Sequence, residues 1–207
     1  MKKRILAILL VAVMAIGMFV GCGVNEEATS GSEMSAGVHA NEITVGLAND
    51  LDSNLDPHKT TKAGTREVMF NVFDGLLKPT PNGDLAPALA EKYEVSENRL
   101  TYTFTLRDGV QYHNGDTVKA SDVVWSFKRC IHPADPEIKP DDALENIADV
   151  IAVDDKTVAF TLFQPDVDFL SSMTLAVIPE NYDRQNIAPV GTGPFKFVSR
   201  QAQDTVV

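Results

Sequence analysis

The chain has 207 residues, 44% of them hydrophobic and 23% charged, with a formal charge of -11. That hydrophobic content excludes general disorder, and the acidic balance argues against a nucleic-acid partner, whose phosphates need basic patches. With the first 21 residues set aside, the remainder suffices for one sizeable domain or two small ones.

Residues 1–21 read as an export signal. Lys2, Lys3 and Arg4 form a positive start, and Ile5 to Val20 runs without a charge or a strongly polar group. A membrane-spanning helix needs roughly 20 apolar residues, so the run is marginal as an anchor and suits a signal peptide. It closes on Phe19-Val20-Gly21-Cys22-Gly23. A small residue directly before a cysteine at that place resembles the bacterial lipobox, in which cleavage leaves a lipidated Cys22; the other reading is a plain signal peptide or short anchor helix with an incidental cysteine. Cys130 is then the only other cysteine, so no internal disulfide can form, and its place at the end of an apolar helical pattern predicts a buried, inert thiol. Loss of Lys2, Lys3 and Arg4 leaves 15 basic against 29 acidic side chains, which favours solubility outside the cell. Residues 22–41 comprise the cysteine and a Gly-, Ser- and Glu-rich flexible tether.

Elements follow from Glu42. Ile43, Val45 and Leu47 alternate with Thr44 and Gly46 and predict a first strand. The run 49–57 is turn-rich. The pattern predicts a helix over 64–74, with Val68, Val72, Phe73 and Leu76 on one face and Gly75 at its end, and a short helix over 85–91. Tyr93 and Val95 begin a strand. Tyr102, Phe104 and Leu106 alternate with three threonines and give the strongest strand signal, over 100–106. Turns follow at Asp108-Gly109 and Asn114-Gly115, then a helix over 121–131 with Val124, Phe127 and Ile131 on one face and Val123 and Trp125 beside it. A proline-rich loop spans 132–140. A hairpin pairs 150–153 with 157–162 around Asp154-Asp155-Lys156, a short helix covers 167–173, and short strands cover 175–178 and 195–198. Strands and helices alternate, so the class is α/β or α+β.

The chain carries no catalytic constellation: no nucleophile elbow, no zinc-protease histidine pair and no cysteine pair. It reads as a non-enzyme without a cofactor. His39, His58, His113 and His132 lack metal-ligand spacing and read as solvated or hydrogen-bonding histidines. Asp50, Asp52 and Asp56 invite a calcium reading but lack the glycine and distal glutamate of an EF-hand, and loop-forming roles fit them better.

Five segments in order resemble the bacterial extracellular solute-binding proteins of family 5, which serve peptide and nickel importers. They are Asp52-Ser53-Asn54-Leu55-Asp56-Pro57, Val72-Phe73-Asp74-Gly75-Leu76-Leu77, Pro87-Ala88-Leu89-Ala90-Glu91, the stretch from Thr103 to Arg129, and Pro189-Val190-Gly191-Thr192-Gly193-Pro194-Phe195. Lys119 stands where the family often has a helix-capping threonine, which leaves Ser121 as the expected cap. The resemblance implies a type II periplasmic-binding-protein-like α/β fold, here its N-terminal part with the second lobe missing. It assigns 42–55 and 176–207 to lobe one and 56–175 to a side subdomain. It implies the substrate-binding lipoprotein of an ABC importer, outside the cytoplasm and held on the cell membrane or in the periplasm. Its partners would be an oligopeptide or dipeptide, the transporter's permease subunits and, through Cys22, the membrane. The alternatives are a nickel- or metal-chelate-binding member and a short lipoprotein acting as an interaction adaptor. The implied ligand-binding residues are Asn49, Leu51, Asp52 and Ser53 after the first strand, with Gly191, Thr192 and Gly193. A competing reading makes the glycine segment a crossover turn only.

The anchor is directly testable. Labelled palmitate should enter the wild-type chain expressed in a bacterial host and be lost from Cys22→Ser; equal labelling of both would remove the lipid anchor.

Overall fold

A computed structural model describes residues 43–207. The export segment, Cys22, the tether and His39 lie outside the described residues. The chain divides into two units at Val45 and Gly46. Of the first, only Ile43, Thr44 and Val45 are described; they are exposed and lie in no strand or helix. The expected first strand is therefore not formed among the described residues. Alternation needs a hydrogen-bonding neighbour to become a strand, and no described segment pairs with 43–47.

The second unit is built around a four-stranded antiparallel sheet. Its strands are β3 (Ala90–Val95), β4 (Thr101–Leu106), β5 (Ile147–Ala152) and β6 (Thr157–Leu162), in the order β3-β4-β6-β5. The alternation read from the sequence fixes which side chains point inward. Tyr102, Phe104 and Leu106 on β4 and Val158, Phe160 and Leu162 on β6 are all buried, while the threonines between them face outward. Register aligns Phe104 with Val158 and Tyr102 with Phe160. Both outer strands shift register once, between Ala90 and Lys92 and between Ile147 and Asp149.

Helix α2 (Ala120–Ile131) covers the apolar face. Phe127 meets Phe160 edge-on with ring centroids 4.8 Å apart, and Phe160 also meets Phe104 at 5.6 Å and Phe169 at 5.8 Å. These aromatic edges form the centre of the larger hydrophobic cluster. The helix starts at Ala120 and Ser121 does not cap it. Instead the Asp122 carboxylate accepts the Lys119 N–H at 2.9 Å. Val123, Phe127 and Cys130 are the buried stripe, and Val124 and Ile131 are only half-buried, one position away from the expected face. The rotation follows from the helix packing on two sides, since Asp122 and Ser126 on its other flank bind the 178–180 segment. Burial pushes the Cys130 thiol up to about 12, in keeping with an inert side chain.

Helix α1 (Ala63–Phe70) stops four residues short of the expected Asp74. The carbonyls of Asn71 and Val72 accept the N–H groups of Phe195 and Gly193, so a neighbouring segment replaces the next helical turn. Val72 and Phe73 then turn inward beside Thr65 and Met69. The expected helix over 85–91 is absent as well. Strands β1 (Leu77–Pro79) and β2 (Leu85–Pro87) pair across a turn with Gly83 at φ 87°, and Pro87 has no N–H to give a helix. Residues 175–178 are buried at Val177 and Ile178 but join no ladder; the Val177 N–H donates to the Asp74 carbonyl, Ser126 Oγ bonds both the N–H and the carbonyl of Ile178, and His58 bonds the Ala176 carbonyl. Residues 195–198 are not a strand either, because pairing begins later, in the hairpin of β7 (Arg200–Gln201) and β8 (Thr205–Val206). Short 3-10 helices occupy 142–144 and 169–174. A second, smaller hydrophobic cluster gathers Leu51, Leu55, Met69, Val72, Phe73 and Ile178. Among the described residues no helix is long and apolar enough to cross a membrane.

Phe127 is fully buried, whereas Trp125 is only half-buried. Phe127→Ala should cost about 3 to 5 kcal/mol in a urea series, because it empties the aromatic centre. A loss below about 1 kcal/mol would contradict that packing.

Candidate functional site

A groove of about 830 Å³ opens where four segments meet. They are the loop 53–59, the exposed flank of α2, the loop at 135–137 and the segment 178–186. Its construction begins with Asp56, which the turn-rich loop delivers into the interior, where it is 4% exposed. A buried carboxylate needs a partner, and α2 supplies it one turn after Trp125. The Arg129 guanidinium grips both Asp56 oxygens, Nη1 reaching Oδ1 at 3.0 Å and Nη2 bonding Oδ2. Burial alone would raise the Asp56 carboxyl; the hydrogen bonds and charge of Arg129 outweigh it and hold the group below its ordinary value.

His58 extends the network. Its Nδ1 accepts from Arg129 Nη1 at 2.9 Å and its Nε2–H donates to the Ala176 carbonyl at 2.8 Å, which fixes a neutral tautomer. Burial pushes the imidazole down to about 4, against the raising pull of the Ala176 carbonyl and Asp56. The network thus ties the 56–58 loop to α2 and to the chain at 176. Next along the loop, the Lys59 ammonium sits 2.5 Å from Asp135 and 2.9 Å from Glu137, and Asn54 also donates to Glu137 at 3.3 Å. Trp125 completes the wall, with the Arg129 Cζ 5.3 Å from its ring centroid.

The residues expected to bind ligand fall in different environments. Ser53 is exposed and lines the groove. Asn49 is exposed but does not line it, and Leu51 is buried in the smaller cluster. Asp52 seats helix α1: its carboxylate accepts the N–H groups of Thr61 and Lys62, and its own N–H donates to Thr65 Oγ1. Arg200 clamps this loop from behind, bonding the carbonyls of Leu51 and Asp52 and pairing with Asp50 at 3.0 Å. Asp50, Asp52 and Asp56 therefore serve three separate partners and form no common cage.

Gly191, Thr192 and Gly193 lie outside the groove lining. A Cβ on Gly191 would come within 2.1 Å of the Val72 carbonyl oxygen, and one on Gly193 within 2.5 Å of that of Asn71. Both positions thus require glycine for backbone contact with 71–72. Thr192 Oγ1 accepts the Asp74 N–H at 3.4 Å, and His113 bonds the carbonyls of Gly191 and Gly193. His58 and His113 are both hydrogen-bonding histidines, as their spacing implied. Sequence reasoning missed Lys59, Trp125, Arg129, Asp135, Glu137, Glu180 and Asp183 as groove residues. The available signal was Asp56-Pro57-His58 facing an arginine at the end of a helix whose other residues were already assigned.

Residues 84–207 match the family described as bacterial extracellular solute-binding proteins, family 5 Middle. The chain belongs to this family. Curated relatives include the Di/tripeptide-binding protein 4 of Pseudomonas aeruginosa (strain UCBPP-PA14), 36% identical over 166 residues, covering 66% of this chain and 31% of the relative. The Glutathione-binding protein GsiB of Escherichia coli O1:K1 / APEC is 31% identical over 175 residues, covering 81% and 34%. Among solved structures, the periplasmic binding protein DppA from Helicobacter pylori in complex with peptide STSA superposes with a TM-score of 0.67 at 28% identity, covering 76% of this chain and 37% of that one. The fold is that of the type II periplasmic binding proteins. The chain spans about a third of the length of the curated relatives it matches.

The site carries a pH prediction. His58 is held below its ordinary value of 6.5, so the unfolded chain takes up a proton there before the folded chain does. Stability is full above about pH 6.5 and declines on acidification toward pH 4, by on the order of 3 kcal/mol. Asp56, also held low, loses its contribution as pH falls further. Urea midpoints measured from pH 7 to 4 should drop in wild type and flatten in His58→Gln; identical slopes would exclude His58 as the cause.

Proposed function

We propose that the chain forms part of the solute-binding receptor of an ABC importer, that its solute is a peptide, and that Cys22 holds it by lipid at the outer face of the cytoplasmic membrane. The observation that carries the reading is the family match over 84–207. The relative named for di- and tripeptides gives the ligand class. The work of such a receptor is binding and delivery, not catalysis, and its partners are the transporter's permease subunits.

In this reading the groove at Trp125 is one wall of the ligand site. A first lobe holds 42–55 and 176–207, and a side subdomain holds 56–175. Leu51, Leu55 and Ile178 gather in one hydrophobic cluster and the sheet residues in the other, while Met69, Val72 and Phe73 pack with the first and Val177 with the second, so the two groups meet along 69–73 and 177–178. Asn49 and Ser53 present polar groups to the ligand, while Leu51 and Asp52 hold that loop in place under the Arg200 clamp. Gly191 to Gly193 contribute through the backbone they support at 71–74. A peptide's charged ends need partners on both walls, and a ligand that touches both favours the closed state.

Calorimetry on residues 23–207 should show no micromolar binding of dipeptides or oligopeptides, because one wall does not enclose charged termini. Joining the chain to the remaining part of a di/tripeptide-binding relative should restore it. Micromolar binding by the chain alone would overturn the two-wall reading, and a folded fusion that binds no peptide would overturn the peptide assignment.

A further inference from the structure

We infer that the groove at Trp125 selects a cationic ligand group, the ammonium or guanidinium of a lysine- or arginine-rich peptide, and turns away anionic solutes. The inference rests on the groove being the ligand wall proposed above and adds the chemistry of what it accepts.

The argument starts from which charges in the groove are already engaged. Its two cations are Lys59 and Arg129. Arg129 gives both terminal nitrogens to Asp56 and one of them also to His58. Lys59 is shared between Asp135 and Glu137, and its side chain is only 14% exposed. Neither cation is free to meet an incoming anion. A ligand carboxylate could reach Arg129 only by displacing Asp56, which would leave a buried carboxylate bare. Anions are therefore disfavoured by the network that builds the groove.

The acidic side chains are differently placed. Asp56, Asp135, Glu137, Glu180 and Asp183 all line the groove, a formal excess of three negative charges over the two cations. Glu137 has 65% of its side chain exposed although it touches Lys59. Glu180 and Asp183 are exposed, and their carboxylates have no hydrogen-bond or ion-pair partner among the described residues. These accessible carboxylates come from two chain segments, 135–137 and 180–183. A cation inside the groove can thus be met from more than one part of its wall. Trp125 adds an aromatic surface that already holds one guanidinium at 5.3 Å and can support the alkyl stem of a long basic side chain. At about 830 Å³ and open to solvent, the groove discriminates little by shape, which leaves charge as the selecting property.

Trp125 is the only tryptophan of the chain, so its indole N–H gives a single resonance that reports on this groove. The test titrates the isotopically labelled full chain with millimolar trilysine, trialanine and triglutamate at low and high salt, following the indole and backbone resonances. Trilysine should shift the indole and the amides of 135–137 and 178–186, with affinity falling about fivefold or more in high salt. Trialanine should bind more weakly and triglutamate should leave the groove unmoved. Glu180→Gln together with Asp183→Asn, both at exposed positions, should weaken trilysine about threefold or more. Trialanine or triglutamate binding the groove as tightly as trilysine would overturn charge selection while leaving the groove as a ligand wall. Trilysine shifts spread evenly over the acidic surface, or unchanged by the double variant, would also overturn it. If no peptide moved any groove resonance, both the selection and the groove as a ligand wall would fall.

Discussion

The Asp56–Arg129 pair is the constraint on which the rest of the unit is arranged. A carboxylate taken out of water must be met by a cation with matched geometry, and removal of one partner from such a pair costs about 3 to 5 kcal/mol. Here the match is a guanidinium fork on two carboxylate oxygens, completed by a neutral imidazole that passes the connection on to Ala176. One charge pair thereby fixes three distant parts of the chain: the loop before α1, the last turn of α2 and the crossing segment at 176. The groove is the surface these three leave between them. Its position is a by-product of satisfying one buried charge.

The two sides of α2 divide the labour between stability and function. One side delivers Val123, Phe127 and Cys130 to the sheet and sets its aromatic centre. The other side delivers Asp122 and Ser126 to the backbone at 178–180, and Trp125 and Arg129 to the groove. The helix therefore carries polar groups that are buried yet bonded, and the groove wall inherits the rigidity of the core beneath it.

Much of the sheet and of α2 was legible in the sequence because both are written in local periods. Tyr102, Phe104 and Leu106 alternate through threonines, Val158, Phe160 and Leu162 do the same, and Phe127 sits on an apolar helical stripe. The first strand and the strands at 175–178 and 195–198 failed for one reason: each has strand-like residues, but no described neighbour offers a ladder. The helix expected at 85–91 failed because a hairpin turn and Pro87 outweigh good helix formers. The groove was legible only at Ser53. Arg129 lies 73 positions from Asp56, and Ala176 lies 118 from His58. No local pattern announces such partners, and an aspartate in a turn-rich loop looks like any other turn former. The requirement for glycine at 191 and 193 was visible as a motif, but its cause, backbone contact with 71–72, belongs to the tertiary structure.

The outer strands of the four-stranded sheet have a bearing on behaviour in a crowded solution. An open sheet edge is a template for another chain's strand. On β3 the ladder slips between Ala90 and Lys92, and Glu91, Lys92 and Glu94 are exposed along it. On β5 it slips between Ile147 and Asp149, and Asp149 is exposed beside the slip. A second copy laying its edge against either strand would meet a broken register and would have to desolvate charged side chains. The slips and charges on both outer strands thus work against the sheet growing into a larger one by joining edge to edge with a second copy.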